Sequence, residues 1–106
     1  MNQYKYHVQM MFPLGKREGT IVINDNNGQL NGILSLLGNN EEFTGVLKQD
    51  RCCEIRGKIV SLTKTIIYYA VGEMHSKWIK LDFFSNEKLF HMEGVREEWK
   101  KYMNIL

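Results

Sequence analysis

The sequence has little of several features that mark specialised protein classes. Its 106 residues include one proline and two adjacent cysteines, Cys52 and Cys53, which cannot join distant segments by disulfide bonds. No apolar run approaches the roughly 18 to 20 residues of a membrane-spanning helix, and residues 1–12 lack the continuous apolar block of a secretory signal. A formal charge of +2 is too small to indicate nucleic-acid binding. We therefore expect one cytoplasmic domain over 1–106, without a membrane span or a nucleic-acid partner.

Motifs of common catalytic and cofactor sites are absent as well. The chain has no Walker sequence, no Gly-x-Ser-x-Gly turn, no dinucleotide-binding glycine turn and no Cys-x-x-Cys. The three histidines are isolated and are expected at the surface, and His91 with Glu93, two residues apart on one strand face, supplies only two metal ligands. We predict no catalytic residues, no metal site and no cofactor, and hence that the protein is not an enzyme.

The adjacent cysteines lie in a segment with β-type composition. Successive residues of a strand point to opposite faces, and a bond between neighbouring cysteines forces strained geometry. We predict that Cys52 and Cys53 are free thiols, one buried and one exposed.

Eight segments with β-type composition follow one another between short turns. They cover 3–12, 19–25, 29–37, 42–48, 52–62, 65–74, 77–84 and 88–94. The separators contain Gly, Asn, Asp or Pro, which are residues of tight turns. Such short connections join antiparallel strands, because parallel pairing needs crossovers of about a dozen residues. The sequence predicts a mainly β protein, a single antiparallel up-and-down meander of about eight strands that forms a small barrel or a strongly curved sheet.

Alternation within these segments separates an inner face from an outer one. The residues expected inside include Tyr4, Tyr6, Val8, Met10 and Phe12 of the first segment and Ile79, Leu81 and Phe83 of the seventh. The third and sixth segments are apolar on both sides, so we expect both of their faces to be covered.

A weak repeat places glycine between two inward apolar residues. It centres on Gly32, Gly45 and Gly57, at spacings of 13 and 12 residues, which is one strand plus one turn. Inward glycine marks a sharp bend or the close approach of another group. The alternative is that these glycines leave space for a ligand in the lumen.

After Gly94 the apolar pattern changes to a helical period. Val95, Trp99, Tyr102, Met103 and Leu106 form a stripe, which predicts one short C-terminal helix over 95–106. We expect this helix to pack on the barrel with Trp99 as its anchor, or alternatively to bind a partner.

Apolar residues also lie on the face opposite the assigned interior. They are Ile33, Leu37, Val46, Val60, Leu62, Ile67, Tyr69 and Val71. If they cluster in space, they exceed what scattered surface positions account for. They favour a self-complementary interface, most simply that of a two-fold homodimer.

The arrangement resembles a small calycin-like (lipocalin-like) barrel, an eight-stranded up-and-down meander with the repeated apolar-x-Gly-x-apolar motifs and a terminal helix. The resemblance covers 3–94 and is architectural. It implies a small apolar ligand in the lumen, which here would lie between Tyr4, Tyr6, Phe43, Tyr68 and Phe83. A weaker similarity is to pleckstrin-homology-like barrels, which have seven strands and end in an amphipathic helix with a tryptophan, as Arg96-Glu97-Glu98-Trp99 does.

Two functions therefore stay open. Composition favours a non-catalytic protein-interaction or self-associating module with a full core. The alternative is a small apolar ligand-binding barrel of the calycin type. Cavity volume distinguishes the two, because a ligand barrel retains a space of some hundreds of Å3 whereas a scaffold packs its interior densely.

Overall fold

The computed structural model of the protein describes residues 2–13, 15–36, 38–86 and 88–99, with the backbone alone at Trp99. Eight strands occupy Asn2–Phe12 (β1), Gly15–Asn26 (β2), Gln29–Leu36 (β3), Asn39–Leu47 (β4), Cys52–Val60 (β5), Thr65–Met74 (β6), Trp78–Ser85 (β7) and Lys88–Arg96 (β8). Each strand pairs antiparallel with the next, and β8 pairs with β1, so the sheet closes on itself. The predicted fold class is confirmed, and of the two forms left open the closed barrel is the one observed.

Tight turns connect the strands as their residues predict. In the two-residue turn between β2 and β3, Asn27 and Gly28 both have positive φ, of 54° and 89°. Asn and Gly tolerate this conformation best, and it matches the twist of a hairpin. The Asp25 carboxylate accepts a hydrogen bond of 2.8 Å from the Gly28 amide and stabilises the turn.

The interior of the barrel is a continuous apolar core. Alternate residues of every strand point inward, as on β1, where Tyr6, Val8 and Met10 are fully buried and Lys5 is exposed. The largest side chains with no significant exposure are Tyr6, Phe83, Met10, Ile21, Ile23, Leu34, Ile55, Ile59, Met74, Ile79, Leu81 and Met92. Side chains therefore fill the lumen, as expected for a barrel of eight strands.

The inward glycines lie where a neighbouring group comes too close for a side chain. A Cβ atom at Gly32 would stand 1.9 Å from the Val22 carbonyl oxygen and 2.7 Å from the Phe43 ring, and one at Gly57 would stand 2.7 Å from the Tyr68 hydroxyl. Backbone carbonyl oxygens approach as closely at Gly45, Gly72 and Gly94. The close-approach interpretation is confirmed, because these glycines admit neighbouring strands and rings and do not enlarge the lumen.

The predicted C-terminal helix is wrong over the part that the structure describes. Val95 and Arg96 continue β8, and Glu97–Trp99 form a single turn of 3-10 helix that packs against β1. The strand continues because Arg96 pairs with Tyr6 and donates its amide to the Lys77 carbonyl, at 2.8 Å. Positions 100–106, and the proposed anchoring by the Trp99 side chain, lie outside the described residues. Among those residues no helix has the length and apolar character needed to cross a membrane.

Within one chain, the outer faces of β3 and β6 are not covered. The outward side chain of Ile33 on β3 is 42% exposed, and that of Ile67 on β6 is 75% exposed. Leu37 lies outside the described residues. The outer apolar side chains on these strands are thus open to solvent.

Candidate functional site

The five residues predicted to line a ligand in the lumen are part of the packed interior. Tyr6, Phe43, Tyr68 and Phe83 are buried, with at most 3% exposure, and Tyr4 is half-buried. Tyr68 and Phe83 pack with ring centroids 4.6 Å apart, and Tyr4 stacks on Tyr6 at 6.2 Å. Four of the five rings therefore form two packed pairs inside the barrel.

Two of these rings carry hydroxyl groups with different surroundings. The Tyr6 hydroxyl donates a hydrogen bond to the His75 carbonyl and so ties β1 to the turn between β6 and β7. The Tyr68 hydroxyl is buried and has no hydrogen-bond partner among the described residues. Burial raises the pKa of both phenols, and the nearby Glu41 charge raises that of Tyr68 further. Both groups are therefore protonated at neutral pH.

The cysteines follow the strand alternation. Both are free, with Cys52 exposed and Cys53 buried, as predicted. Burial raises the pKa of the Cys53 thiol to about 12, and the neighbouring Cys52 contributes in the same direction. Since the thiolate is the reactive form, Cys53 is chemically inert in the folded protein.

His91 lies on the outer surface in a small acidic group. Its Nδ1 is 2.9 Å from the Asp82 carboxylate on β7, and its Nε2 is 3.2 Å from the Glu93 carboxylate. The hydrogen bond with Asp82 raises the pKa of His91 above its usual range, and the bond with Glu93 adds to the effect while partial burial opposes it. His7 differs from the expected surface position, because its side chain is only 11% exposed.

Four apolar side chains form a contiguous patch on the outside of β6, β7 and β8, which we call the outer apolar face. They are Ile67, Tyr69, Phe84 and Leu89. Ile67 is 75% exposed, Leu89 62% and Phe84 47%. Tyr69 pairs with Phe84 across β6 and β7, and Phe84 pairs with Leu89 across β7 and β8. The side chains of these three residues therefore lie side by side on adjacent strands. Ile67 lies two residues before Tyr69, on the same face of β6.

Charges of opposite sign flank the outer apolar face. On β5, Arg56 and Lys58 are exposed, and the Arg56 guanidinium lies 5.1 Å from the centre of the Tyr69 ring. Further along the two strands from Phe84 and Leu89, Asp82 of β7 and Glu93 of β8 hold the acidic group around His91. The face thus has a cationic flank and an acidic flank.

The Tyr69 hydroxyl fixes one corner of this face. It donates a 2.7 Å hydrogen bond to Glu54 on β5, and the same carboxylate forms an ion pair with Lys48. The Lys48 hydrogen bond, with that of Tyr69, lowers the pKa of Glu54, and the bond to Glu54 raises the pKa of Tyr69. The Tyr69 ring is therefore held in place, with one side presented to Arg56.

Sequence reasoning identified half of this face. Ile67 and Tyr69 were expected to point outward, but Phe84 and Leu89 were not singled out. Strand alternation was the available signal, since each immediately adjoins a buried phenylalanine, Phe83 or Phe90. Of the other outward residues, Val71 lies next to Tyr69 on the same strand face, whereas Ile33 lies on β3 and is not part of the patch.

A second feature is a pocket at the end of the barrel where the β1–β2, β5–β6 and β7–β8 turns meet, which we call the mouth. It has a volume of about 360 Å3. Its lining residues are Phe12, Pro13, Arg17, Ser61, Lys64, Ile66, Lys88 and Phe90. The mouth lies beyond the packed lumen, and none of the five predicted lumen residues lines it.

The described residues contain no group of three or more His, Cys, Asp or Glu side chains placed to hold a metal ion. Comparison of the chain with protein-family models, with curated proteins and with solved structures finds no match. The closed eight-stranded meander agrees with the architecture of a calycin-like barrel and has one strand more than a pleckstrin-homology-like barrel.

Proposed function

We propose that the protein is a non-catalytic, self-associating module that forms a two-fold homodimer through the outer apolar face. The observation that carries the proposal is the exposure of Ile67, Phe84 and Leu89 on three adjacent strands, with Tyr69 between Ile67 and Phe84. Single exposed apolar residues are ordinary in soluble proteins, whereas a contiguous apolar patch with a polar surround is typical of an interaction site.

The flanks of the face favour a second copy as the partner. In a two-fold interface the same surface of each subunit meets its equivalent, so the surface must complement itself. Arg56 and Lys58 on one flank and Asp82 and Glu93 on the other provide opposite charges for such an arrangement. Each of the eight described strands pairs with a neighbouring strand on both sides, so association through side chains is favoured over the addition of a strand.

The packed interior supports this function over a small apolar ligand in the lumen. The space that such a ligand would need is occupied by the side chains of Tyr6, Phe43, Tyr68 and Phe83. Neighbouring backbone and ring atoms take up the space beside the inward glycines. Opening a cavity of hundreds of Å3 there would break many van der Waals contacts of the core. Each contact contributes little energy, but their sum is large.

Sedimentation velocity over a range of protein concentrations tests the proposal. We expect the wild-type chain to dimerise, and the double variant Ile67→Ser/Leu89→Ser to raise the dimer dissociation constant at least a hundredfold. That factor corresponds to about 2.8 kcal/mol, less than the burial of the four aliphatic side chains, two from each subunit, contributes. Both positions are exposed, so the barrel should fold normally, which far-UV circular dichroism checks.

The matched control is Ile33→Ser, an outward and similarly apolar position on β3 away from the face. It should leave the dissociation constant unchanged. A wild-type chain that stays monomeric at every concentration would contradict the proposal, as would a dimer that the double variant leaves intact. Raising the NaCl concentration should weaken the dimer if the opposite flanks contact each other, since salt screens exposed charges.

A further inference from the structure

The inner face of the barrel changes character at the mouth. Arg17 pairs across β1 and β2 with the buried Met10, so it occupies an inward position. Lys88 pairs with the buried Ser85 and lies two residues before the buried Phe90, which places it on the inward side of β8. An inner face that is apolar through the core therefore ends in cations.

A third cation completes the group. Lys64 lies in the β5–β6 turn, where its carbonyl accepts a 2.9 Å bond from the Ser61 amide, and it lines the same pocket as Arg17 and Lys88. None of the three has a carboxylate within ion-pair distance among the described residues, and the Arg17 guanidinium donates only to the Lys16 carbonyl. Three like charges around one pocket repel one another, and an anion would relieve that repulsion.

The floor beneath these cations is apolar. Phe12 and Phe90 pack there with ring centroids 5.2 Å apart, and Ile66 packs against the core beside them. The volume of about 360 Å3 falls in the range of small-molecule pockets, roughly 300 to 1,000 Å3. A pocket with an apolar floor and a cationic rim matches a molecule that has an apolar chain and a negative headgroup.

We propose that the mouth binds a small single-chain amphiphile with an anionic headgroup, a carboxylate or a phosphate. The headgroup contacts Arg17, Lys64 and Lys88, and the guanidinium offers it two parallel hydrogen bonds. The chain lies over Phe12, Ile66 and Phe90. Glu41, an acid at an inward position on β4, is not one of the residues that line this pocket. The site is separate from the outer apolar face.

Amide NMR titration with decanoate below its micellar concentration tests the site. We expect saturable shifts at Ile66 and Phe90. At least tenfold weaker binding is expected for decanol, which lacks the charge, for decyltrimethylammonium, which reverses it, and for acetate, which lacks the chain. Equal binding of decanoate and decanol, or shifts confined to other parts of the barrel, would overturn the proposal.

A second test of the site reverses the charge of two of the lysines that surround the mouth. The double variant Lys64→Glu/Lys88→Glu should weaken decanoate binding at least tenfold, whereas Lys5→Glu, an exposed cation far along β1, should leave it unchanged. Equal effects of the two variants would contradict the assignment.

Vesicles of phosphatidylglycerol and of phosphatidylcholine identify the source of the amphiphile. Binding to anionic vesicles but not to monomeric decanoate would contradict the proposal, because the protein would then recognise a bilayer surface and not a single-chain amphiphile. Binding to monomeric decanoate supports a free ligand, and binding to none of these probes refutes the site. Dimerisation is measured without any ligand, so the failure of either proposal is visible independently of the other.

Discussion

The two buried tyrosines of the core differ in the hydrogen bonding of their hydroxyl groups, which makes them a matched pair for mutagenesis. The Tyr6 hydroxyl donates to the His75 carbonyl, whereas the Tyr68 hydroxyl has no hydrogen-bond partner among the described residues. Both side chains have at most 3% exposure. Replacing either by phenylalanine removes one oxygen atom and leaves the ring, so differences in packing are small.

We expect Tyr6→Phe to lower the free energy of unfolding by about 1 to 3 kcal/mol, because it removes a hydrogen bond and leaves a carbonyl without its donor. At about 4 to 8 °C per kcal/mol for a domain of this size, the melting temperature should fall measurably. Tyr68→Phe should change stability by less than about 0.5 kcal/mol or increase it, because a buried hydroxyl without a partner destabilises the folded state.

Urea unfolding followed by circular dichroism measures both variants on one scale. An unchanged slope against urea concentration ensures that the midpoints report stability and not a change in the unfolded state. Equal destabilisation of the two variants would refute the reasoning, since it would show that both hydroxyls have partners or that neither bond matters.

Two further predictions concern titratable groups. The raised pKa of His91 means that its protonated form stabilises the folded protein. This stabilisation is fully present below 6.5, the pKa of histidine in the unfolded chain, and it is lost as the pH rises through the higher pKa of the folded protein. The stability difference between wild type and His91→Gln should therefore narrow from pH 6 to pH 9 in urea unfolding, and a difference that stays constant would contradict the Asp82 interaction. With a thiol-specific disulfide reagent at pH 8, we expect Cys52 to react quickly and Cys53 to react only on unfolding. The variant Cys52→Ser should therefore lose the fast phase of the reaction. Two fast-reacting thiols, or none, would refute this assignment.

Much of the fold could be predicted because its signals are local. Alternating apolar residues and short turns determine hairpins, and β6 begins and ends where the sequence predicts, at Thr65 and Met74. The apolar stripe near the C-terminus led to a wrong prediction of a helix for the residues that the structure describes. Its spacing is helical, but Val95 and Arg96 belong to the strand that closes the barrel against β1. Pairing with a strand distant in sequence outweighed the local period.

The candidate sites depend on register between strands, which alternation alone does not determine. Phe84 and Leu89 become neighbours through pairing of β7 with β8. Predicting the mouth requires knowledge of how the sheet closes as well as of the strand register. Its cations Arg17, Lys64 and Lys88 come from three separate turn regions, which meet only when the sheet closes. No local pattern in the sequence associates Arg17 with residues near positions 64 and 88.

The pairing of β1 with β8 has a consequence for how the molecule folds. Every other strand pairing joins neighbours along the chain and forms after a short loop closes, whereas Tyr6 meets Arg96 only after nearly the whole chain has been ordered. This pairing is therefore expected to form late and to open early. While it is open, β1 and β8 each present an unpaired edge, so the open form is more prone to aggregate than the closed barrel.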